Sequence, residues 1–288
     1  MARELNVLTD QVVTTEGPRW RDGRLWFSDF TDGNVKSVSM AGDVRIELHG
    51  GDERAPSGLG WTPDGDLLFV QMGAGRVQRR AADGTVTTHA ELHDVSPWAW
   101  NDMVVDRTGR AYVGNFGFDF DAAAREHGMN GLTGICPPTA LALVQPDGAV
   151  SVAAEGLKFP NGMVITPDER TLIVAETFAP ALTAFDIGPG GALSGRRQWA
   201  PLGERLPDGI CLDAEGAVWI ANPGGRDVAR IAEGGEVLEV IPTGLAPLAC
   251  MLGGDDGRTL FIMATPWGEG GGGRILTARV ESPHAGRP

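Results

Sequence analysis

Two short apolar runs, joined by a turn that contains Asp and Gly, make up residues 207–221, PDGICLDAEGAVWIA. Runs rich in Ile, Val, Leu and Trp on either side of such a turn are typical of two antiparallel strands. The same arrangement recurs elsewhere, as in residues 160–175, PNGMVITPDERTLIVA. Internal repetition of this kind indicates the architecture before any single residue does.

The turn and the strand after it occur in six copies: RDGRLWFSD (21–29), PDGDLLFVQ (63–71), RTGRAYVGN (107–115), PDERTLIVA (167–175), AEGAVWIAN (214–222) and DDGRTLFIM (255–263). Successive copies are 42, 44, 60, 47 and 41 residues apart. Four of these five steps match the roughly 40–50 residues of one four-stranded propeller blade. An apolar strand precedes each copy and strand-like residues around a second turn follow it, so each unit contains four strands.

Six such units predict an all-β fold, a six-bladed β-propeller in one domain that spans residues 1–288. The segment from Leu5 to Val13 lies ahead of the first inner strand, and only the last blade remains for it to pair with. We therefore expect this N-terminal strand to join the last blade and to cover its exposed edge.

Composition excludes several other classes of protein. The 42 glycines and 19 prolines are too many for a helical bundle, and no apolar run approaches the twenty residues of a membrane-spanning helix. The net charge of −14 repels phosphate backbones and anionic lipids, so we expect neither a nucleic acid nor a membrane as partner. The N-terminus lacks the pattern of a signal peptide, so we expect a cytoplasmic protein, and a closed propeller needs no second copy, which predicts a monomer.

The three cysteines Cys136, Cys211 and Cys250 are far apart and lack CxxC spacing, so the sequence predicts no disulfide framework and no zinc knuckle. The chemistry is expected instead where the inner strands begin, because these strands line the channel of a propeller. The six equivalent positions are Glu16, Ser57, Asn101, Asn161, Asp208 and Leu248.

Four of these six positions carry a carboxylate or an amide, which favours a hard cation held by oxygen ligands. Asn-Gly and Asp-Gly pairs also form turns, so each pair alone has a simpler explanation. The shared position of Glu16, Asn161 and Asp208 in the repeat nevertheless predicts a metal site. Asn101 is open to three interpretations: a fourth ligand, a hydrogen-bond donor to substrate, or a residue that begins a strand.

The 60-residue step contains an insertion, residues 116–138, between the second and third strands of the third blade. The loop at this place emerges on the face of the channel mouth, so we expect the insertion to form a lid with an apolar underside that includes Phe116. Ala122–His127 are predicted to form a short helical turn. The alternative is a loop without a functional role.

The motifs EGPRW, NDMVVDRTGRAYVGN, PNGMVITPD and PDGICLDAEGAVWIA, in this order, resemble the regucalcin and gluconolactonase family of six-bladed propellers, which includes senescence marker protein and luciferin-regenerating enzyme-like members. The resemblance extends from Glu16 to about Thr265. It implies that Glu16, Asn161 and Asp208 bind one divalent cation, most often Ca²⁺, although Mg²⁺, Mn²⁺, Fe²⁺ and Zn²⁺ occupy similar sites. It also implies that Asn101 lies near the metal or the substrate.

The resemblance implies a metal-dependent hydrolase that opens a lactone, a small-molecule substrate. Asp208 and Asn101 are then the catalytic residues, with Asp208 as the proton acceptor for the attacking water. Sugar-lactone members often carry an Arg two residues before the Asn, where this chain has Ala99. We therefore expect the substrate to contact Asn101, Phe116, Trp98 and Trp100, and to be flatter or more apolar than a sugar. The two indoles have an alternative role, packing between blades.

Two other functions are compatible with the same residues. One is hydrolysis of a phosphoester or phosphotriester, because a Lewis acid polarises P=O as readily as C=O. The other is a propeller that binds calcium or a ligand without turnover. A panel of substrates distinguishes these possibilities, whereas the sequence does not.

Overall fold

In the computed structural model, which describes residues 3–50, 55–266 and 272–286, the chain forms six four-stranded antiparallel sheets. The first strand of each sheet lies beside the first strands of the two neighbouring sheets, and these contacts close into a ring. The sheets are therefore blades around a common axis. This arrangement confirms the all-β, six-bladed propeller that the repeats predict.

The N-terminal strand and the strands of the first three blades are, in chain order, β1 (Asn6–Val12), β2 (Thr15–Arg21), β3 (Arg24–Asp29), β4 (Asn34–Ser39), β5 (Val44–His49), β6 (Pro56–Trp61), β7 (Leu67–Gln71), β8 (Arg76–Arg80), β9 (Val86–Glu91), β10 (Trp100–Val105), β11 (Ala111–Asn115), β12 (Thr139–Val144) and β13 (Val150–Leu157). A helix, α1 (Phe120–Ile135), connects β11 to β12.

The strands of the last three blades are β14 (Pro160–Ile165), β15 (Thr171–Glu176), β16 (Ala181–Ile187), β17 (Leu193–Pro201), β18 (Ile210–Leu212), β19 (Val218–Asn222), β20 (Asp227–Ile231), β21 (Val237–Pro242), β22 (Ala246–Gly253), β23 (Thr259–Thr265) and β24 (Gly273–Arg279). A single 3₁₀ turn, Pro189–Gly191, precedes β17. The inner strands are β2, β6, β10, β14, β18 and β22, as the sequence alignment predicts.

The turn between the first and second strands has one conformational feature in common in every blade. Its anchoring residue has a positive φ in all six copies, a region that favours glycine. Five copies have glycine there: Gly23, Gly65, Gly109, Gly216 and Gly257. The fourth blade has Glu169 at a φ of 59°, so the shared conformation, and not the residue type, defines the repeat.

The propeller closes where the N-terminal strand β1 pairs with β24, the third strand of the last blade. The pairing is antiparallel, with Asn6 opposite Thr277 and Val12 opposite Gly273. This confirms the predicted closure. It also gives the last blade its fourth strand and covers an edge that would otherwise be free to pair with another chain.

Apolar side chains fill the space between adjacent blades. Trp219 of the fifth blade and Phe261 of the sixth blade are both buried in one such cluster, which also includes Cys211 and Cys250. Cys136 is buried as well, and all three cysteines are free thiols. Within the described ranges, no helix combines the length and the apolar character that crossing a bilayer requires.

The insertion contains a longer helix than the sequence predicts. Helix α1 begins after Asp119, whose carboxylate accepts a hydrogen bond from the backbone N–H of Ala122 (2.9 Å), and it continues beyond His127 to Ile135. Gly128 interrupts it with non-helical angles (φ 66°, ψ 163°). Leu132 and Cys136 are buried against phenylalanines of the third and fourth blades, so the helix lies over this side of the propeller.

Candidate active site

Four of the predicted residues line one cavity of about 910 Å³ at the mouth of the channel: Glu16, Asn101, Asn161 and Asp208. Each belongs to a different blade: three lie in their inner strands, and Asp208 lies two residues before β18. All four side chains are buried. We call these four residues the floor of the cavity.

Glycines after the floor residues allow the inner strands to approach one another. A Cβ at Gly162 would lie 2.5 Å from the backbone nitrogen of Ile210, and one at Gly209 would lie 2.4 Å from Cβ of Ala249. Neither glycine has a positive φ, so turn formation does not explain its presence. The Asn-Gly and Asp-Gly pairs of the fourth and fifth blades instead reflect the close packing that brings Asn161 and Asp208 together.

Asn161 connects the floor of the cavity to its surroundings. Its Nδ2 donates hydrogen bonds to Oδ1 of Asp208 and to Oγ1 of Thr177 (3.2 Å), and the hydroxyl of Thr177 donates to the carbonyl oxygen of Pro207 (2.7 Å). Within the described part of the chain, Oδ1 of Asn161 is buried and has no hydrogen-bond partner. A buried acceptor without a partner is costly, so this oxygen is available to a ligand or a water molecule.

The two carboxylates of the floor have pKa values that the protein raises strongly. Burial raises the pKa of Asp208 to about 8, and the charge of Asp102 adds to this, while the hydrogen bond from Asn161 opposes it. Burial also raises the pKa of Glu16 well above its usual range, with further contributions from the charges of Asp208 and Asp102. A cation bound between the two carboxylates would reverse both effects, because it favours their ionised forms.

The donor set fits a hard divalent cation. Two carboxylates and the unpartnered amide oxygen of Asn161 are oxygen ligands of the kind that Ca²⁺ and Mg²⁺ prefer. The described residues contain no cluster of three His, Cys, Asp or Glu side chains with the spacing of metal ligands. The candidate site therefore depends on the amide of Asn161 as well as on Glu16 and Asp208.

Asn101 belongs to the same floor, on the inner strand of the third blade. Its Oδ1 accepts a long hydrogen bond (3.5 Å) from the hydroxyl of Ser57, which holds the amide in place. Leu248 lines the cavity as the sequence predicts, whereas Ser57 lies behind Asn101 and is not part of the lining.

The structure places neither predicted tryptophan in the cavity. Trp100 is completely buried among apolar side chains of the second and third blades, including Leu68 and Val113, and Trp98 is 42% exposed. Ala99 lies between them and does line the cavity. The assignment of Trp98 and Trp100 to substrate binding is therefore corrected: Trp100 has the alternative role, packing between blades. Phe116, also predicted, does line the cavity.

Aromatic side chains form the side of the cavity beneath α1. Phe116, Phe120, Phe159 and Phe178, which we call the aromatic wall, all line the cavity and pack against one another. Sequence reasoning missed Phe159 and Phe178, which lie in the fourth blade directly before β14 and in the loop after β15. The one local signal was the position of Phe159, directly before the motif that contains Asn161.

Sequence reasoning also assigned no role to a buried ion pair behind the floor. Arg19 donates from Nη2 to Oδ1 of Asp102 (3.3 Å) and to the carbonyl oxygen of Met103, so it connects the inner strands of the first and third blades. Both side chains are buried. Burial raises the pKa of Asp102, and the charge of Arg19 opposes that rise.

Known proteins resemble this chain over most of its length. The model of the family described as the SMP-30/gluconolactonase/LRE-like region matches residues 14–265. A pentonolactonase of Haloferax volcanii is 30% identical over 267 residues, which cover 89% of this chain and 83% of that protein. A regucalcin of Xenopus laevis is 26% identical over 268 residues, covering 89% of this chain and 84% of the relative.

A solved structure also resembles this chain over most of its length. A gluconolactonase of Xanthomonas campestris superposes with a TM-score of 0.76 at 25% identity, and the match covers 97% of this chain and 90% of that one. The residues that form the floor all lie inside the segment that the family model matches.

Proposed function

The chain belongs to the SMP-30/gluconolactonase/LRE-like family, and from this premise we propose that it is a hydrolase that opens lactones with one divalent cation. The observation that carries the proposal is the floor itself, where a buried amide oxygen without a partner lies with two carboxylates of raised pKa. The names of the pentonolactonase and the gluconolactonase support lactones as the substrate class.

The cation would be held by Glu16, Asn161 and Asp208. When bound, it supplies Lewis-acid polarisation of the ester carbonyl, stabilises the negative charge that develops on the carbonyl oxygen, and keeps the carboxylates ionised. Calcium is the ion we propose, because the donor atoms are oxygens; Mg²⁺, Mn²⁺, Fe²⁺ and Zn²⁺ are tested beside it.

Asp208 is the proposed proton acceptor and Asn101 the residue that orients substrate or water. The oxygen of a water molecule adds to the carbonyl carbon of the ring, and its proton passes to the carboxylate of Asp208. The ring C–O bond then breaks, and the same proton returns to the departing oxygen. The product is a hydroxy acid, and Asp208 is regenerated.

The insertion, residues 116–138, is the proposed lid of this single-domain protein. Phe116, Phe120, Asp121 and Met129 line the same cavity as the floor, which supports this assignment. A lid excludes bulk water and thereby strengthens the electrostatic interactions inside the cavity. We further propose that the protein acts as a monomer, because pairing of β1 with β24 covers the edge strand of the last blade.

The test is hydrolysis of a lactone panel by protein treated with a chelator, before and after each divalent ion is added back. We expect turnover only after an ion is restored, and a bound ion in equimolar amount. Glu91→Gln serves as a control for loss of a carboxylate, because Glu91 is exposed on an outer strand of the second blade. Equimolar binding without turnover of any lactone would contradict the proposal and favour a phosphoester hydrolase or a binding protein.

A further inference from the structure

The cavity is polar at its floor and mostly apolar elsewhere. Besides the aromatic wall, its lining includes Phe30, Met72, Leu206 and Leu248. Ligand cavities of about 300–1,000 Å³ hold drug-sized molecules. At about 910 Å³, this cavity is much larger than an unsubstituted five- or six-membered lactone needs.

The aromatic wall is held in a fixed arrangement by its own contacts. Phe116 and Phe159 are stacked, with ring centroids 4.6 Å apart and an angle of 23° between the rings. Phe178 meets Phe159 edge to face at 5.0 Å, and Phe120 meets Phe116 at 5.5 Å. Such pairs are preferred aromatic geometries, so the wall offers a preorganised apolar surface to a ligand.

Phe159 has a backbone conformation that is unfavourable for its residue type. Its φ is 55°, in the left-handed region where a bulky side chain is strained and a glycine is not. The chain nevertheless has a phenylalanine there, two residues before Asn161 and buried in the wall. Strain of this kind accumulates at functional sites, which indicates that the ring itself is needed beside the floor.

Away from the floor, the described lining has five polar side chains and a larger number of apolar ones. The hydroxyl of Thr177 already donates to the carbonyl oxygen of Pro207, and that of Thr14 accepts from Thr31 (2.8 Å). The other polar residues of the described lining are Asp121, Arg226 and Thr265. Burial of a hydroxyl against apolar side chains is costly, so this lining suits an apolar substituent better than a ring with a hydroxyl on every carbon.

We propose that the substrate is a lactone with an apolar substituent, an alkyl chain or an aromatic ring. The inference rests on the proposed lactone hydrolysis and adds the substrate class. The ring ester lies at the floor beside Asn101 and Asp208, and the substituent lies against the aromatic wall. Phe116 and Phe159 are the residues that determine this specificity.

The first experiment compares lactones within each ring size, using the calcium-loaded full chain. The five-membered series runs from γ-butyrolactone through γ-octalactone to γ-dodecalactone. The six-membered series contains δ-valerolactone, dihydrocoumarin as the aromatic member and glucono-δ-lactone as the sugar. We expect kcat/KM to rise roughly threefold to fourfold for each added CH₂ until the cavity is full, as burial of a methylene predicts. Turnover that is independent of chain length, or highest with the sugar lactone, would overturn the inference and leave the proposed function intact.

A second measurement does not depend on turnover. Lactams with the same alkyl chains are resistant analogues, and calorimetry gives their dissociation constants with and without calcium. We expect affinity to increase with chain length. If no lactone is hydrolysed with any ion, the proposed function is wrong. Chain-length dependence of lactam binding would then still support an apolar ligand, whereas its absence would overturn that as well.

Matched variants test whether the dependence on chain length comes from the aromatic wall. Phe116→Gln places an amide where the ring lies, and we expect the ratio of kcat/KM for γ-dodecalactone to that for γ-butyrolactone to fall about tenfold. Phe116→Leu keeps the position apolar and is expected to reduce the ratio less than threefold. Ile46→Gln, on an exposed position of β5, controls for adding an amide outside the cavity. An unchanged ratio in Phe116→Gln would overturn the role of the wall.

Discussion

Asp102 and the pair of Glu16 and Asp208 are buried to a similar extent, but they differ in what balances their charge. Asp102 has an ion pair with Arg19, which the fold supplies from the inner strand of the first blade. The described contacts of Glu16 and Asp208 include hydrogen bonds but no ion pair. Arg19 does act on Glu16, although as the weakest of the influences on its pKa.

The two groups of buried carboxylates differ in whether the fold itself supplies a cation beside them. A buried carboxylate is stable when a cation and hydrogen bonds compensate for its lost hydration. Arg19 gives Asp102 a permanent cation, which makes that pair part of the structure. Among the described residues, Glu16 and Asp208 have hydrogen bonds but no such cation, which is why we propose that a cation from solution binds there. Each prediction below tests one side of this comparison.

The largest effect is expected from Asp208→Asn. The amide keeps an oxygen for the cation but accepts no proton from water, so we expect kcat to fall by about 10²–10⁴-fold, the range for loss of a general base. Because an amide is a weaker ligand than a carboxylate, kcat is measured at a calcium concentration that saturates the variant, and thermal stability should change little by comparison. Rates are measured on the preferred lactone, with Asp64→Asn on an exposed turn as the matched control. Near-normal turnover would remove Asp208 as the proton acceptor.

Removal of the Arg19 guanidinium should destabilise the fold. Arg19→Met leaves the carboxylate of Asp102 buried without its partner, and breaking a buried pair in this way costs about 3–5 kcal/mol. The measurement is the free energy of unfolding by denaturant. The double variant Arg19→Met/Asp102→Asn should recover part of the loss, because the unpaired charge is gone. A loss below about 1 kcal/mol, the value of an exposed pair, would mean that the two groups of carboxylates do not differ as described.

Loss of the Glu16 carboxylate should affect metal binding more than folding. We expect Glu16→Gln to weaken calcium binding by more than the roughly 10–100-fold that loss of an outer-shell partner costs. The dissociation constant comes from calorimetry, and Glu91→Gln again controls for charge. Unchanged affinity would show that Glu16 only begins the inner strand of the first blade, and the comparison would then rest on Asp208 alone.

The sequence predicts the fold and the floor because both depend on a repeated local pattern. The turn that contains Gly216 recurs in every blade, so its spacing counts the blades, and aligned strand starts give Asn161 and Asp208. The length of α1 is less predictable, since Gly128 interrupts the helical pattern and the cap at Asp119 is a single residue.

The rest of the site depends on packing between distant segments. Phe159 and Phe178 join Phe116 only because the third and fourth blades are adjacent and α1 covers both. The placement of Trp100 follows instead from its own strand. Asn101 faces the cavity, so alternation along β10 turns Trp100 to the other face, against its neighbours in the second blade, and the expectation for Asn101 already excluded Trp100 from the cavity.

The property that separates the two groups of carboxylates most directly is the pH dependence of stability. In metal-free protein the pKa of Asp208 is raised to about 8, so the folded state retains a proton that the unfolded chain releases above about pH 4. The free energy of unfolding should therefore fall as the pH rises from about 4 towards 8, and calcium should offset that fall.

Melting temperatures with chelator and with calcium, measured between pH 5 and 8, should diverge as the pH rises. The variant Glu16→Gln/Asp208→Asn should lose this divergence, because it has no carboxylate at the floor to titrate. A constant difference across the range in the unmodified protein would mean that the floor carboxylates are already compensated from within the fold, as Asp102 is.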